Sequence, residues 1–160
     1  MADGRLLRGA HGYAGELGHM VIEPSGPLCT CGNRGCLEQL TSGTALDRKS
    51  AELYGGEAGA PELAARARAG EEGALEALAE AGAYLGVAIA NLVNALDPEK
   101  VVVGGGLAEL GDLILGPARA RAEELVLGKA RGWTLLPAAF GSNAGLIGAG
   151  ALVFEQTASA

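Results

Sequence analysis

The chain has 160 residues, enough for one domain or two very small ones. Its residues are 49% hydrophobic but only 4% aromatic, and its formal net charge is −7, which repels a phosphate backbone and argues against nucleic-acid binding. No stretch reads as a signal peptide, and no apolar run is long enough to span a bilayer without charges or turn residues, so a membrane role is not expected.

In chain order, Asp3-Gly4 is a strong two-residue hairpin signal, followed by a short strand at residues 5–8. Only Met1 and Ala2 precede it, so the chain is expected to begin partway through a fold. Residues 9–18 are glycine-rich and predict a loop that turns into a short helical piece. Met20-Val21-Ile22 reads as a strand stopped at Pro24, and a cysteine-rich loop follows. A helix is predicted from about Cys36 through Leu40, broken at Ser42-Gly43 and continued toward Leu53 with Ser42 or Thr44 as cap. A turn-rich connector leads to an alanine- and glutamate-rich helix over residues 61–81, interrupted near Gly70. Leu85, Ile89, Leu92 and Leu96 then form one apolar stripe of a further helix, ended by Asp97-Pro98. Val101-Val102-Val103 predicts a buried parallel strand running into Gly104-Gly105-Gly106. A helix at about 110–127, a strand at 133–138 and a small-residue helix at 144–154, suited to tight packing, complete an α/β pattern.

All three cysteines fall between positions 29 and 36. That clustering suits a metal in a reducing, cytoplasmic compartment better than a disulfide framework. Cys29, Cys31 and Cys36 offer three thiolates on one tight loop that Gly32 and Gly35 allow to curl, and His19 stands at a suitable distance to be the fourth ligand. Four protein ligands leave no open position, so a zinc ion bound over residues 19–36 is expected to be structural. Arg34 is expected to offset the local thiolate charge. Three unligated thiols near a histidine are the alternative.

Glu16 precedes His19 by three residues, and Glu38 follows Cys36 by two. A metal that pins His19 to Cys36 therefore gathers both carboxylates and the imidazole, a combination suited to polyol hydroxyls. Two ordinary surface glutamates are the alternative. The stretch from Gly12-Tyr13-Ala14-Gly15-Glu16-Leu17-Gly18-His19 to Cys29-Thr30-Cys31-Gly32-Asn33-Arg34-Gly35-Cys36-Leu37-Glu38 resembles the signature of the ROK family of sugar kinases and sugar-responsive repressors. The resemblance extends through Asn91-Leu92-Val93-Asn94, Asp97-Pro98, residues 101–106 and Ala144-Gly145-Leu146-Ile147-Gly148-Ala149, and is greatest to the glucokinase branch.

This resemblance implies an α/β fold: residues 1–160 as the latter, incomplete part of a ribonuclease-H-like, actin-like ATPase domain, with a zinc loop. It implies that Glu16, His19 and Glu38 bind a hexose, with glucose favoured, and that His19 ligates zinc through one ring nitrogen while offering the other to the sugar. Cys29, Cys31 and Cys36 would complete the metal site. Gly104 and Gly105 would let the backbone approach the adenosine end of ATP, although an ordinary strand-to-helix turn explains the same glycines. Magnesium would serve the full-length enzyme. The catalytic aspartate and both phosphate loops of the family have no counterpart here, since Asp3, Asp47, Asp97 and Asp112 stand in other contexts. The chain alone is thus expected to be inactive and marginally stable, and either to self-associate or to pair with a missing N-terminal half. A sugar-sensing part of a repressor and a non-catalytic zinc-stabilised interaction module are the competing readings.

Overall fold

A computed structural model describes residues 6–56, 58–128 and 132–158. The Asp3-Gly4 hairpin and Arg5 lie outside the described residues, and residues 6–8 carry no strand. The glycine-rich segment ends, as expected, in a single 3-10 turn, Leu17–His19. Met20-Val21-Ile22 does not form a strand. One antiparallel bridge, Val21 to Cys36, is what remains of it, because its neighbour is a curled loop rather than an extended strand.

Two short helices follow, α1 (Leu37–Thr41) and α2 (Gly43–Tyr54). The break falls at Ser42, whose side chain accepts from the Ala45 N–H at 3.1 Å and caps α2. Helix α3 (Ala60–Arg68) starts with Pro61 in its first turn, and Asp47 Oδ1 accepts from the Ala60 N–H at 2.6 Å. The chain turns at Gly70 into α4 (Glu72–Leu96), a continuous helix of 25 residues. Sequence periodicity divides this span into two helices, and the structure joins them.

The reason lies in packing. Gly82 and Gly86 carry poor helix propensity, but they lie where α5 (Asp112–Leu125) crosses α4. A β-carbon on Gly82 would stand 2.6 Å from the Ile114 carbonyl oxygen, and one on Gly86 would stand 2.5 Å from that of Ala118. The two helices meet backbone to backbone there, in the most extensive helix pair of the structure. Leu78, Leu85, Ile89 and Val93 of α4 bury against Ile114, Leu115 and Ala118, with Leu46 and Leu63 joining from α2 and α3. Leu96, expected on the apolar stripe, is 68% exposed, and Val93 takes its place in the core. Helix α4 is long and apolar enough to cross a membrane by length and composition, but half of its apolar window is buried inside the protein. Asp97, in the left-handed conformation, ends it.

We expect Gly86→Ala to destabilise the chain by about 1–3 kcal/mol through overpacking, against a helix-propensity gain of about 1 kcal/mol. Gly116→Ala, on α5 with no atom closer than 4.0 Å to the added carbon, should instead be neutral or stabilising. Urea unfolding midpoints of the two variants will separate these outcomes.

Strands β1 (Lys100–Val103) and β2 (Thr134–Pro137) pair in parallel, with Val101 opposite Leu135 and Val102 opposite Leu136, and α5 forms the crossover. Among the described residues these two strands form one sheet, in the order β1-β2. Burial is less than a run of valines suggests. Val101, Val103 and Leu135 face the core, whereas Val102 (58% exposed) and Leu136 (41%) face outward. Helix α6 (Ala144–Ala158) does not pack tightly over residues 144–152 either: Leu146 is 76% exposed, and Ile147 is open as well. Among the described residues nothing covers this apolar surface, a state that favours association.

Candidate metal centre

The segment at residues 20–23 runs back along residues 34–37 through backbone hydrogen bonds. The Ile22 and Glu23 N–H groups both donate to the Gly35 carbonyl at 2.8 and 3.2 Å, and the Leu37 N–H donates to the Met20 carbonyl at 2.9 Å. Between them, the Gly35 N–H donates to Pro27, and the Cys29 N–H to Asn33, both at 2.8 Å. Gly35 is the tightest point. Its φ is +66°, and a β-carbon there would fall 1.5 Å from the Glu23 carbonyl oxygen. This fold-back carries His19, at the start of one segment, to Cys36, at the end of the other.

The four expected ligands converge. Ligand atoms of His19, Cys29, Cys31 and Cys36 all lie within 4.8 Å of one another. Cys29 Sγ is 3.6 Å from His19 Nδ1, and Cys31 Sγ is 3.6 Å from Cys36 Sγ. A tetrahedral zinc site with bonds of about 2.3 Å to sulfur and 2.0–2.1 Å to nitrogen has ligand edges of about 3.6–3.8 Å. The donor set and its spacing therefore fit zinc with little rearrangement. Cys29 and Cys36 are buried, Cys31 is exposed and His19 is half-buried.

The thiols are unequal. A hydrogen bond from the Cys31 backbone N–H holds Cys29 down to about 6, while burial pushes Cys36 up to about 12. A bound dication would reverse the cost at Cys36, since coordinated thiols deprotonate outright. Gln39, which motif reading passes over, points its Nε2 at Cys29 Sγ at 4.0 Å. Its signal is positional: it lies one helical turn beyond Cys36. Arg34 does not face the sulfurs as expected. Its Nη1 donates to the Gly26 carbonyl at 3.3 Å and braces the loop instead.

Both carboxylates reach the imidazole. Glu16 Oε2 lies 3.9 Å from His19 Nε2, and Glu38 Oε2 lies 4.0 Å from Nδ1. Glu16 is the residue before the Leu17–His19 turn, and Glu38 sits in the first turn of α1, so each is placed by the element next to a member of this cluster. Both are exposed. The ring thus turns Nδ1 toward the sulfurs and Nε2 toward an open, acidic surface.

Gly104, Gly105 and Gly106 follow β1, away from this cluster in sequence. Gly104 and Gly106 line a cavity of about 600 Å³ together with Leu107, Ser42 and Gly43 at the start of α2, and Pro61 and Ala64 of α3. Gly105 does not line it; its N–H donates to the Gly141 carbonyl at 3.4 Å and shapes the turn. The α2 and α3 walls carry no sequence signature, because they come from segments far from the glycines. The three described aspartates serve helix ends: Asp47 caps α3, Asp97 terminates α4 and Asp112 opens α5.

Comparison with known proteins agrees with this architecture. The model of the ROK family matches residues 1–156. A glucokinase from Halalkalibacterium halodurans is 38% identical over 98% of this chain and 52% of its own length. A xylose repressor from Bacillus spizizenii is 32% identical over 96% of this chain and 40% of its own. The crystal structure of a ROK family glucokinase from Streptomyces griseus, in complex with glucose and AMPPNP, superposes with a TM-score of 0.83 at 32% identity, covering 92% of this chain and 54% of that one. The chain spans about half the length of the curated glucokinases it matches. By the extent of the family match and the shared fold, it is a member of the ROK family.

Proposed function

We propose that residues 1–160 are the sugar-binding part of a cytoplasmic, ATP-dependent hexose kinase of glucokinase type, belonging to an actin-like ATPase domain whose remaining half supplies the catalytic base. The observation that carries this reading is the imidazole of His19, held between the sulfur cluster and the carboxylates of Glu16 and Glu38. A structural zinc on Cys29, Cys31, Cys36 and Nδ1 of His19 would fix the ring and its tautomer. Nε2 would then donate to a hexose hydroxyl, and Glu16 and Glu38 would accept from neighbouring hydroxyls. The exposure of both carboxylates leaves them available to a ligand.

The glycine-lined cavity supports a nucleotide site, with Gly104 at its wall and Gly105 shaping the turn beside it. ATP with magnesium would supply the transferred phosphoryl group in the full enzyme. The catalytic base would be contributed by the remaining half of that domain. The exposed sheet face and α6 support either pairing with that second half or self-association. The repressor relatives favour a second reading, in which the same sugar site serves sensing without catalysis.

Calorimetric titration of a polypeptide that joins this chain to the rest of a ROK domain separates the readings. The kinase reading expects glucose and an ATP analogue both to bind. Glu38→Gln should weaken glucose by about 10–100-fold, the cost of one charged hydrogen bond, with nucleotide binding unchanged. Sugar binding without nucleotide binding would favour the repressor reading, and binding of neither would overturn the proposal.

A further inference from the structure

The loop at residues 30–34 is exposed throughout, and Cys31 is its exposed sulfur. Its Sγ lies 3.6 Å from Cys36 Sγ, which is fully buried. A disulfide needs this separation to close to about 2.0 Å. The exposed member can meet a small oxidant, and the buried member is already in place to resolve the product. Cys29 is buried too and lies within 4.8 Å of both other sulfurs, but its sulfur also contacts His19, Gln39 and Thr30, so the test must locate the bond.

From this geometry we propose that Cys31 and Cys36 form a peroxide-sensitive dithiol whose oxidation to a disulfide expels the metal. The Cys31 sulfur attacks one oxygen of hydrogen peroxide. The O–O bond breaks, a sulfenic acid forms, and the departing hydroxide leaves as water after taking up a proton. The Cys36 sulfur then attacks the Cys31 sulfur. The S–S bond forms, the S–O bond breaks, and the second hydroxide leaves as water after taking up a proton from solvent, since the metal has already displaced the Cys36 proton. The two sulfurs together give up two electrons, and one peroxide becomes two waters.

Two of four ligands are lost in this step, and Cys29 with His19 cannot close a zinc site alone. Glu38 follows Cys36 on α1, and Glu16 precedes His19, so the same bond releases the restraint on both carboxylates. A dithiol reductant reverses it by thiol–disulfide exchange. This proposal rests on the metal reading above; the test separates the two.

The zinc-loaded chain is exposed to stoichiometric hydrogen peroxide, and zinc release is followed with a chromogenic chelator while intact mass is recorded. The expected result is a mass loss of about 2 Da in step with release of bound zinc, both reversed by dithiothreitol and added zinc. Trypsin cleaves after Arg34, between the two cysteines, so the oxidised chain yields residues 9–34 joined to residues 35–48. Fragmentation of the joined peptides should place the bond at Cys31. A bond at Cys29, or zinc release with no joined peptides, overturns the proposal. Cys31→Ser should remove the joined species whether or not the variant retains zinc, and its persistence would also overturn it. If the reduced chain holds no zinc at all, the metal reading fails, while the joined peptides still report on the dithiol.

Discussion

Cys36→Ala will be recovered without stoichiometric zinc, with metal affinity lowered by more than about 100-fold. Loss of even an outer-shell partner costs a zinc site roughly 10–100-fold, and this variant removes a direct ligand. On the zinc reading Cys36 would also hand the metal's restraint to α1, since it occupies the cap position directly before Leu37. Removing its sulfur therefore loosens Glu38 as well as the ion. Elemental analysis against wild type, with Cys31→Ala in parallel, measures the metal directly. Burial holds the Cys36 proton at neutral pH, so zinc must displace it, and affinity should fall as the pH is lowered. Stoichiometric zinc in Cys36→Ala would remove the basis for a four-ligand site.

Gly35→Ala is expected to abolish the fold-back loop. The added carbon would fall 1.5 Å from the Glu23 carbonyl oxygen, and the residue would keep a left-handed φ of +66°. The conformational term alone costs about 1–2 kcal/mol. The overlap is the larger effect, because a backbone carbonyl cannot swing aside as a side chain can. Relief requires residues 20–23 to move off residues 34–37, which breaks the hydrogen bonds from Ile22 and Glu23 to Gly35 and parts His19 from Cys36. Zinc content and the rate of thiol labelling should both report it, with all three cysteines becoming reactive. Gly43→Ala is the matched control: no atom lies within 4 Å of its added carbon at the start of α2, and it should keep its zinc. An unaltered zinc stoichiometry in Gly35→Ala would contradict the loop as described.

The convergence of the histidine and the three cysteines was legible because its information is local. Three cysteines in eight residues and one histidine upstream can meet through a single fold-back, so spacing alone names the set. The capped break at Ser42, the two strands flanking α5 and the stop at Asp97 were legible for the same reason. What escaped depends on distant partners. The role of Gly82 and Gly86 is visible only once α5 is laid across them. Val102 looks like core until the outer face of the sheet is found uncovered. Arg34 was assigned to the sulfurs by proximity in sequence, but loop curvature turns it to Gly26. The cavity beside Gly104 could not be foreseen, since its opposite walls come from α2 and α3.

Helix α1 is only five residues long, and it begins beside Cys36 and ends at Ser42, on the wall of the glycine-lined cavity. At about 1.5 Å per residue it is a strut of under 10 Å joining the two sites proposed here. So short a helix tilts as one piece. If a hexose draws Glu38 inward, Ser42 and Gly43 move with it, and the nucleotide side of the protein is remodelled without an intervening relay. Linkage requires the influence to run equally in both directions: glucose must change nucleotide affinity by the same factor as nucleotide changes glucose affinity. Unequal factors in paired titrations would break that thermodynamic identity, and a factor of one in each would mean that the strut carries no signal.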